Sequence, residues 1–386
     1  MCRQTAAASI LSVVKRLSIR GAETNIWIMN AKQIRAIVPA SLLLAALVAL
    51  VPACAQNAPQ RRPLNTAPSS SGGMGTPMEP NAPQNWGRGG PSPHIWDNQR
   101  DRWLAPEMLR QLLGGARYVL LGEMHDNPAH HRWQAHAVRM LAEQGRRPAV
   151  AWEMITTAQA DALARWRARA GTAAELGPAV RWEARGWPAW RLYQPIAEAA
   201  LAHELRLVPA NLPRAALHTQ ASAALDAERA RQLGVQRWLP DAAEQQLRAE
   251  LVAAHCGHAS EPMLTQMTRA QQLRDAHMAA QLVRHASASG AVLIAGSAHA
   301  RSDRGVPFYL AQHANVEADD ILSVGFVEMS QIESEDKATA AQKQPYDLVW
   351  LTEPVEREDP CAAFQKQHDK EPASAKQNEQ NGNEPD

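Results

Sequence analysis

Short apolar runs bounded by turn-forming residues alternate along the middle of the chain with long stretches of helical spacing. The runs occupy 118–121, 149–152, 207–210, 292–295, 321–326 and 346–351. Such alternation predicts strand–helix–strand units, and therefore an α/β fold with a mainly parallel β-sheet flanked by helices. Between 155 and 289 the chain is mostly Ala, Arg, Leu, Glu and Gln at helical spacing, interrupted by a single strand. That is more helix than crossover connections need, and it predicts a smaller all-helical lobe. After His125, Asp126-Asn127-Pro128 offers a helix cap and a first-turn proline, with Gly145 to close the helix near Gln144. On that helix His131, Gln134, Ala135, Val138 and Leu141 share one face, from which His130 and His136 diverge.

The residues that end each run are polar. They are Gly122-Glu123-Met124-His125, then Glu153, then Asn211 with Arg214 close by, then Gly296-Ser297-Ala298-His299-Ala300-Arg301. Ligands of open parallel sheets bind outside the carboxyl ends of the strands, so these groups are expected at one edge. Glu123, His125, Glu153 and His299 supply two carboxylates and two imidazoles. That set can hold a divalent metal and activate water, can act as a base and acid pair, or can tie strand ends together as a polar network. The Trp residues at 166, 182, 187, 190 and 238 either pack helices against one another or wall a flat apolar ligand.

Both ends of the chain have a different character. An uncharged stretch over 36–53 follows Lys32 and Arg35 and ends Val51-Pro52-Ala53-Cys54, which looks like a lipobox with Cys54 as the lipidated first residue of the mature chain. An ordinary signal peptide and a retained membrane helix are the alternatives. Met29 opens a conventional signal of its own, so 1–53 is a signal region whose true start can be Met29. Residues 54–92 are rich in Pro, Gly, Ser, Asn and Gln and read as a flexible tether, and 365–386 reads as a disordered tail. One folded domain over 93–364 remains. Ala55 is not the Asp of an inner-membrane retention signal, which points to the outer membrane with the domain facing the periplasm. Forty Lys plus Arg against 39 Asp plus Glu leave a net charge of +1, so no basic field exists for nucleic acid. With Cys2 before the signal and Cys54 acylated, Cys256 and Cys361 remain as a disulfide pair or free thiols, and His255-Cys256-Gly257-His258 as a partial metal site.

Six blocks in order resemble the ChaN-like haem-binding uptake lipoproteins of the Tiki superfamily. They are GEMHDNPAHHRWQ, AVAWEM, WRLYQPIAEAA with VPANLPR, AQQLRDAHMA, AGSAHARSDRGVPFYLA and YDLVWLTEPVEREDPCAAF, together spanning about 96–364. Gly-Ser-Ala-His stands where that branch usually has Gly-Asn-Gly-His. The resemblance implies a haem-binding lipoprotein of the cell envelope, haem as cofactor, a homodimer around haem, and an outer-membrane haem or iron uptake system as partner. It also implies kinship with metal-dependent peptidases and esterase-like hydrolases, which would use Glu123, His125, Glu153 and His299. Haem requires an axial ligand and cations for its propionates. Tyr118 and Tyr346 begin strands, which leaves Tyr193 beside Trp187 and Trp190 as the favoured ligand, ahead of Tyr309 or a cleft histidine. His131 and His299 border that site, and Arg214, Arg301 and the helix start near Pro128 are the expected propionate partners.

Overall fold

A computed structural model describes residues 95–362 apart from 224 and 330–335, so the signal, tether and tail lie outside the described residues. Eight strands make one sheet: β1 (Ile95–Asp97), β2 (Arg102–Trp103), β3 (Tyr118–Glu123), β4 (Ala149–Thr156), β5 (Leu207–Asn211), β6 (Ala291–Gly296), β7 (Ile321–Glu328) and β8 (Leu348–Thr352). Their order across the sheet is β2-β1-β8-β7-β3-β6-β4-β5. The six strands from β3 to β8 are parallel, and β1 and β2 add an antiparallel edge. The sheet is therefore mixed and mostly parallel. The antiparallel edge has no counterpart in the apolar pattern because its two strands are three and two residues long.

Helices cover both faces. In chain order they are α1 (Pro106–Gly115), α2 (Pro128–Glu143), α3 (Ala160–Ala168), α4 (Ala173–Ala179), α5 (Trp190–Ala202), α6 (Arg214–Ser222), α7 (Ala227–Gln232), α8 (Asp241–Ala254), α9 (Glu261–His285), α10 (Ser297–Ala300), α11 (Val306–Leu310) and α12 (Lys337–Gln342). Side chains alternate across a strand with period two, so each strand feeds two cores. Val119 and Leu121 of β3 and Val150 and Trp152 of β4 join the core under α1 to α5. Tyr118, Leu120, Ala149 and Ala151 join the opposite core, under α6, α7, α9 and α11. Trp166, Trp182 and Trp190 are helix-packing residues: Trp182 lies 4.8 Å from Trp190 and 4.7 Å from Tyr193 between ring centroids.

The purely helical part is an antiparallel hairpin of α8 against the first turns of α9, with Gln272 donating to Glu244 at 3.0 Å and Arg248 paired with Glu261. At its tip Cys256 is bonded to Cys361, with Cα atoms 5.5 Å apart. Among the described residues no helix is long and apolar enough to cross a membrane.

Candidate functional site

β3 ends at Glu123 in register with Gly296, the last residue of β6, so the GExH and GSAH motifs meet at the carboxyl edge of the sheet. Gly122 has to be glycine here, because a Cβ would stand 2.7 Å from the Ala300 side chain. A Cβ on Gly296 would stand 3.0 Å from His125 Nε2, so His125 lies across that glycine.

Period-two alternation sends the two carboxylates to opposite faces. Glu123 follows Val119 and Leu121 toward α2 and α5. There Tyr193 donates its hydroxyl to Oε1 at 2.7 Å and His125 Nδ1 donates to the same oxygen at 2.9 Å. His131 Nδ1 stands 2.7 Å from Oε2, an ion-pair contact without a hydrogen-bond angle. Gln134 fixes the protonation of His131. Its Nε2 donates to the Leu121 carbonyl at 2.9 Å, which turns its Oε1 toward His131 Nδ1 at 3.3 Å. His131 Nε2 faces the His125 carbonyl at 3.0 Å. Both ring nitrogens thus meet acceptors, so His131 is an imidazolium buried beside a carboxylate. Burial pushes the Glu123 carboxyl up, but the His131 charge and the two imidazole contacts outweigh it and hold it at about 2. Burial and Glu123 together push the Tyr193 phenol far above its ordinary range.

Glu153 follows the other parity, toward α9 and α10. Its Oε2 accepts the Gly296 N–H at 2.7 Å, and its Oε1 lies 3.2 Å from His299 Nε2. His299 Nδ1 binds Asp275 of α9 at 2.5 Å. Burial pulls the His299 imidazole down, but two flanking carboxylates raise it to about 10; burial pushes Glu153 up, but the His299 charge and hydrogen bond hold it well below the carboxylate range. Burial pushes Asp275 up.

His125 joins the two halves. Its side chain is 34% exposed, its Nε2 lies 4.0 Å from Glu153 Oε2, and its ring meets Trp187 edge-on at 5.1 Å. Its Nε2 makes no hydrogen bond among the described residues. Burial lowers its pKa, but the Glu123 hydrogen bond and the Glu153 charge raise it above the usual histidine value. Beside it opens a cleft of about 500 Å³ with Glu153 in its lining, along with Thr156, Asn211, Trp187, Arg185, Arg214 and Arg274.

Several expectations change. Tyr193 is 0% exposed inside α5, with its hydroxyl given to Glu123, so it presents no open coordination position. Tyr309 is equally buried and binds Gln272. Of the named tyrosine and histidine candidates, the cleft histidine His125 is the one left with an open nitrogen. His131 and His299 have both ring nitrogens engaged by neighbouring groups of the chain. Arg301 is held by Asp303 and Glu250, whereas Arg214 does line the cleft. Glu123, His125, Glu153 and His299 do not form a metal set: among the described residues no three such side chains converge on one point, because the two carboxylates face opposite sides of the sheet. His130, expected to diverge, is buried and neutral. Its Nδ1 accepts the Met124 N–H at 2.8 Å, its Nε2 bonds Thr352 at 2.8 Å, and burial lowers it to about 4.

Asp275, Arg185 and Arg274 were not anticipated from the sequence. Asp275 had a visible signal, a lone acid within the apolar spacing of AQQLRDAHMA. The two arginines had none among so many surface arginines.

A mostly parallel sheet carrying a buried carboxylate–imidazole network at its carboxyl edge, with an arginine-lined cleft beside it, defines an α/β ligand-binding protein. Residues 108–310 match the haem-binding uptake family of the Tiki superfamily, ChaN, and the chain belongs to that family. Among solved structures, the ChaN of Campylobacter jejuni, described with cofacially bound haem, is similar over 66% of this chain and 95% of its own, at 22% identity and a TM-score of 0.54. That likeness is one of fold. An erythromycin esterase in its open conformation covers 70% of this chain and 86% of its own at 16% identity, with a TM-score of 0.37, too distant to bear on activity. No curated protein matches the chain.

Proposed function

We propose that the protein is a haem-binding lipoprotein of the bacterial cell envelope that takes part in haem or iron uptake, and that His125 Nε2 is its iron ligand. The observation that supports this most is the state of His125. It is the half-exposed imidazole of an otherwise buried network, oriented through Nδ1 by the Glu123 carboxylate and left with an open Nε2 beside an indole and a cleft. Neutral imidazole oriented by a carboxylate is a strong axial donor, and haem when bound supplies iron that takes such a nitrogen. The buried carboxylates then hold the ligand's orientation rather than act on a substrate.

Anchoring rests on Val51-Pro52-Ala53-Cys54 and Ala55, with the tether of 54–92 setting the domain tens of Å from an outer-membrane surface. A haem held on one face by His125 leaves its other face for a second copy, in keeping with a homodimer around haem. Titration of the purified chain with haemin, followed in the visible spectrum, tests the reading. Saturable binding with a histidine-type spectrum is expected, and absence of saturation contradicts it.

A further inference from the structure

We infer that the Arg185–Arg214–Arg274 cleft is a carboxylate site that receives the propionates of the porphyrin, an assignment that rests on the haem reading. The three guanidiniums come from separate places, the last residue of the short 3-10 turn Glu183–Arg185, the first residue of α6 and the middle of α9, yet they line one cleft. None of them makes a hydrogen bond or ion pair within the described chain. Elsewhere on the same surface the arginines near the site are matched: Arg301 by Asp303 and Glu250, Arg304 by Glu250, Arg357 by Asp126 and Glu328.

The carboxylate in the lining does not offset these charges. Glu153 is already matched by His299 and by the Gly296 N–H. Two further sets of unmatched donors belong to residues of the same lining. Helix α6 starts at Arg214 without a capping side chain, leaving its first-turn N–H groups for an anion. The indole N–H of Trp187 is buried with no acceptor, an arrangement that costs free energy until an acceptor arrives. Together these suit a ligand that carries more than one carboxylate. The lining sets the guanidiniums and Asn211 beside Leu212, Leu217 and the Trp187 indole, which suits a ligand whose carboxylates meet the arginines while its ring stays at the Trp187 and His125 side.

The full chain is titrated with haemin and with haemin dimethyl ester, which keeps iron and ring but removes the carboxylate charges. Haemin is expected to bind at least tenfold more tightly. Arg274→Gln is expected to weaken haemin roughly tenfold or more, the loss of one charge-assisted hydrogen bond, while leaving the ester unchanged. Arg214→Gln, at an exposed position, repeats the measurement where folding is not at stake. Equal affinity of the wild type for both porphyrins, or unchanged haemin affinity in both variants, overturns the inference and leaves the haem reading standing. Failure of the wild type to bind either porphyrin overturns both. Citrate is added as a free polycarboxylate. Competition with haemin is expected, whereas arginine-dependent citrate binding that leaves haemin affinity untouched overturns the porphyrin as source.

Discussion

His125 and Tyr193 both contact Glu123 Oε1, yet only one of them has a free end. Tyr193→Phe removes a hydrogen bond to a charged group, so stability is expected to fall by about 1.5–3 kcal/mol in denaturant unfolding while the haem spectrum stays unchanged. Loss of a phenolate band in that variant would reinstate the tyrosine. The raised pKa of His125 gives ligation a direction with pH. Its proton must leave before Nε2 binds iron, so haemin affinity should rise as pH climbs through that pKa, and a flat profile in titrations across neutral pH would exclude the imidazole. The buried pairs act on stability from two sides. Glu123 contributes fully above its ordinary 4.5 and loses its contribution as pH falls through about 2. His299 contributes fully below 6.5 and loses its contribution as pH rises through about 10. Thermal unfolding across pH should therefore show both flanks, and His299→Ala should flatten the alkaline one.

The segment after β8 closes back over the site loop. Arg357 holds Asp126 through two hydrogen bonds of 2.6 Å and Glu328 through two of 2.7 Å, and Asn127 bonds both Glu328 and the Glu353 carbonyl. Four residues later Cys361 is bonded to Cys256 at the hairpin tip. Arg357→Ala leaves the buried Glu328 short of its cation and is expected to cost on the order of 2 kcal/mol. Reducing the disulfide should lower stability by about 2–4 kcal/mol, read from unfolding with and without a dithiol, because it releases a loop of 105 residues. The elements themselves were largely legible. The apolar runs at 118–121, 149–152 and 292–295 lie inside β3, β4 and β6, and the Asn127-Pro128 start of α2 follows from cap chemistry, with Asn127 accepting the Ala129 N–H. Less legible was the parity of Glu123 against Glu153, which only the register of neighbouring strands converts into opposite faces. The burial of Tyr193 and the bond from its hydroxyl to Glu123 were not legible either, because elimination among four tyrosines carries no information on what a hydroxyl binds once buried.

At the scale of the molecule, the proposed anchoring rests on the apolar leader ending in Cys54 and on the Pro/Gly/Ser-rich stretch that follows it. Cys54→Ser should move the chain from the membrane fraction to the soluble one and abolish acyl labelling; labelling that persists would place the anchor elsewhere. Haemin should also shift the released chain toward a dimer in size-exclusion chromatography. The proposed haem ligation turns on one atom, His125 Nε2. The direct test is the electron paramagnetic resonance spectrum of the ferric haem complex in the wild type and in His125→Ala. A histidine-coordinated signal present in the first and lost in the second is the predicted result. Identical spectra in the two proteins would contradict it.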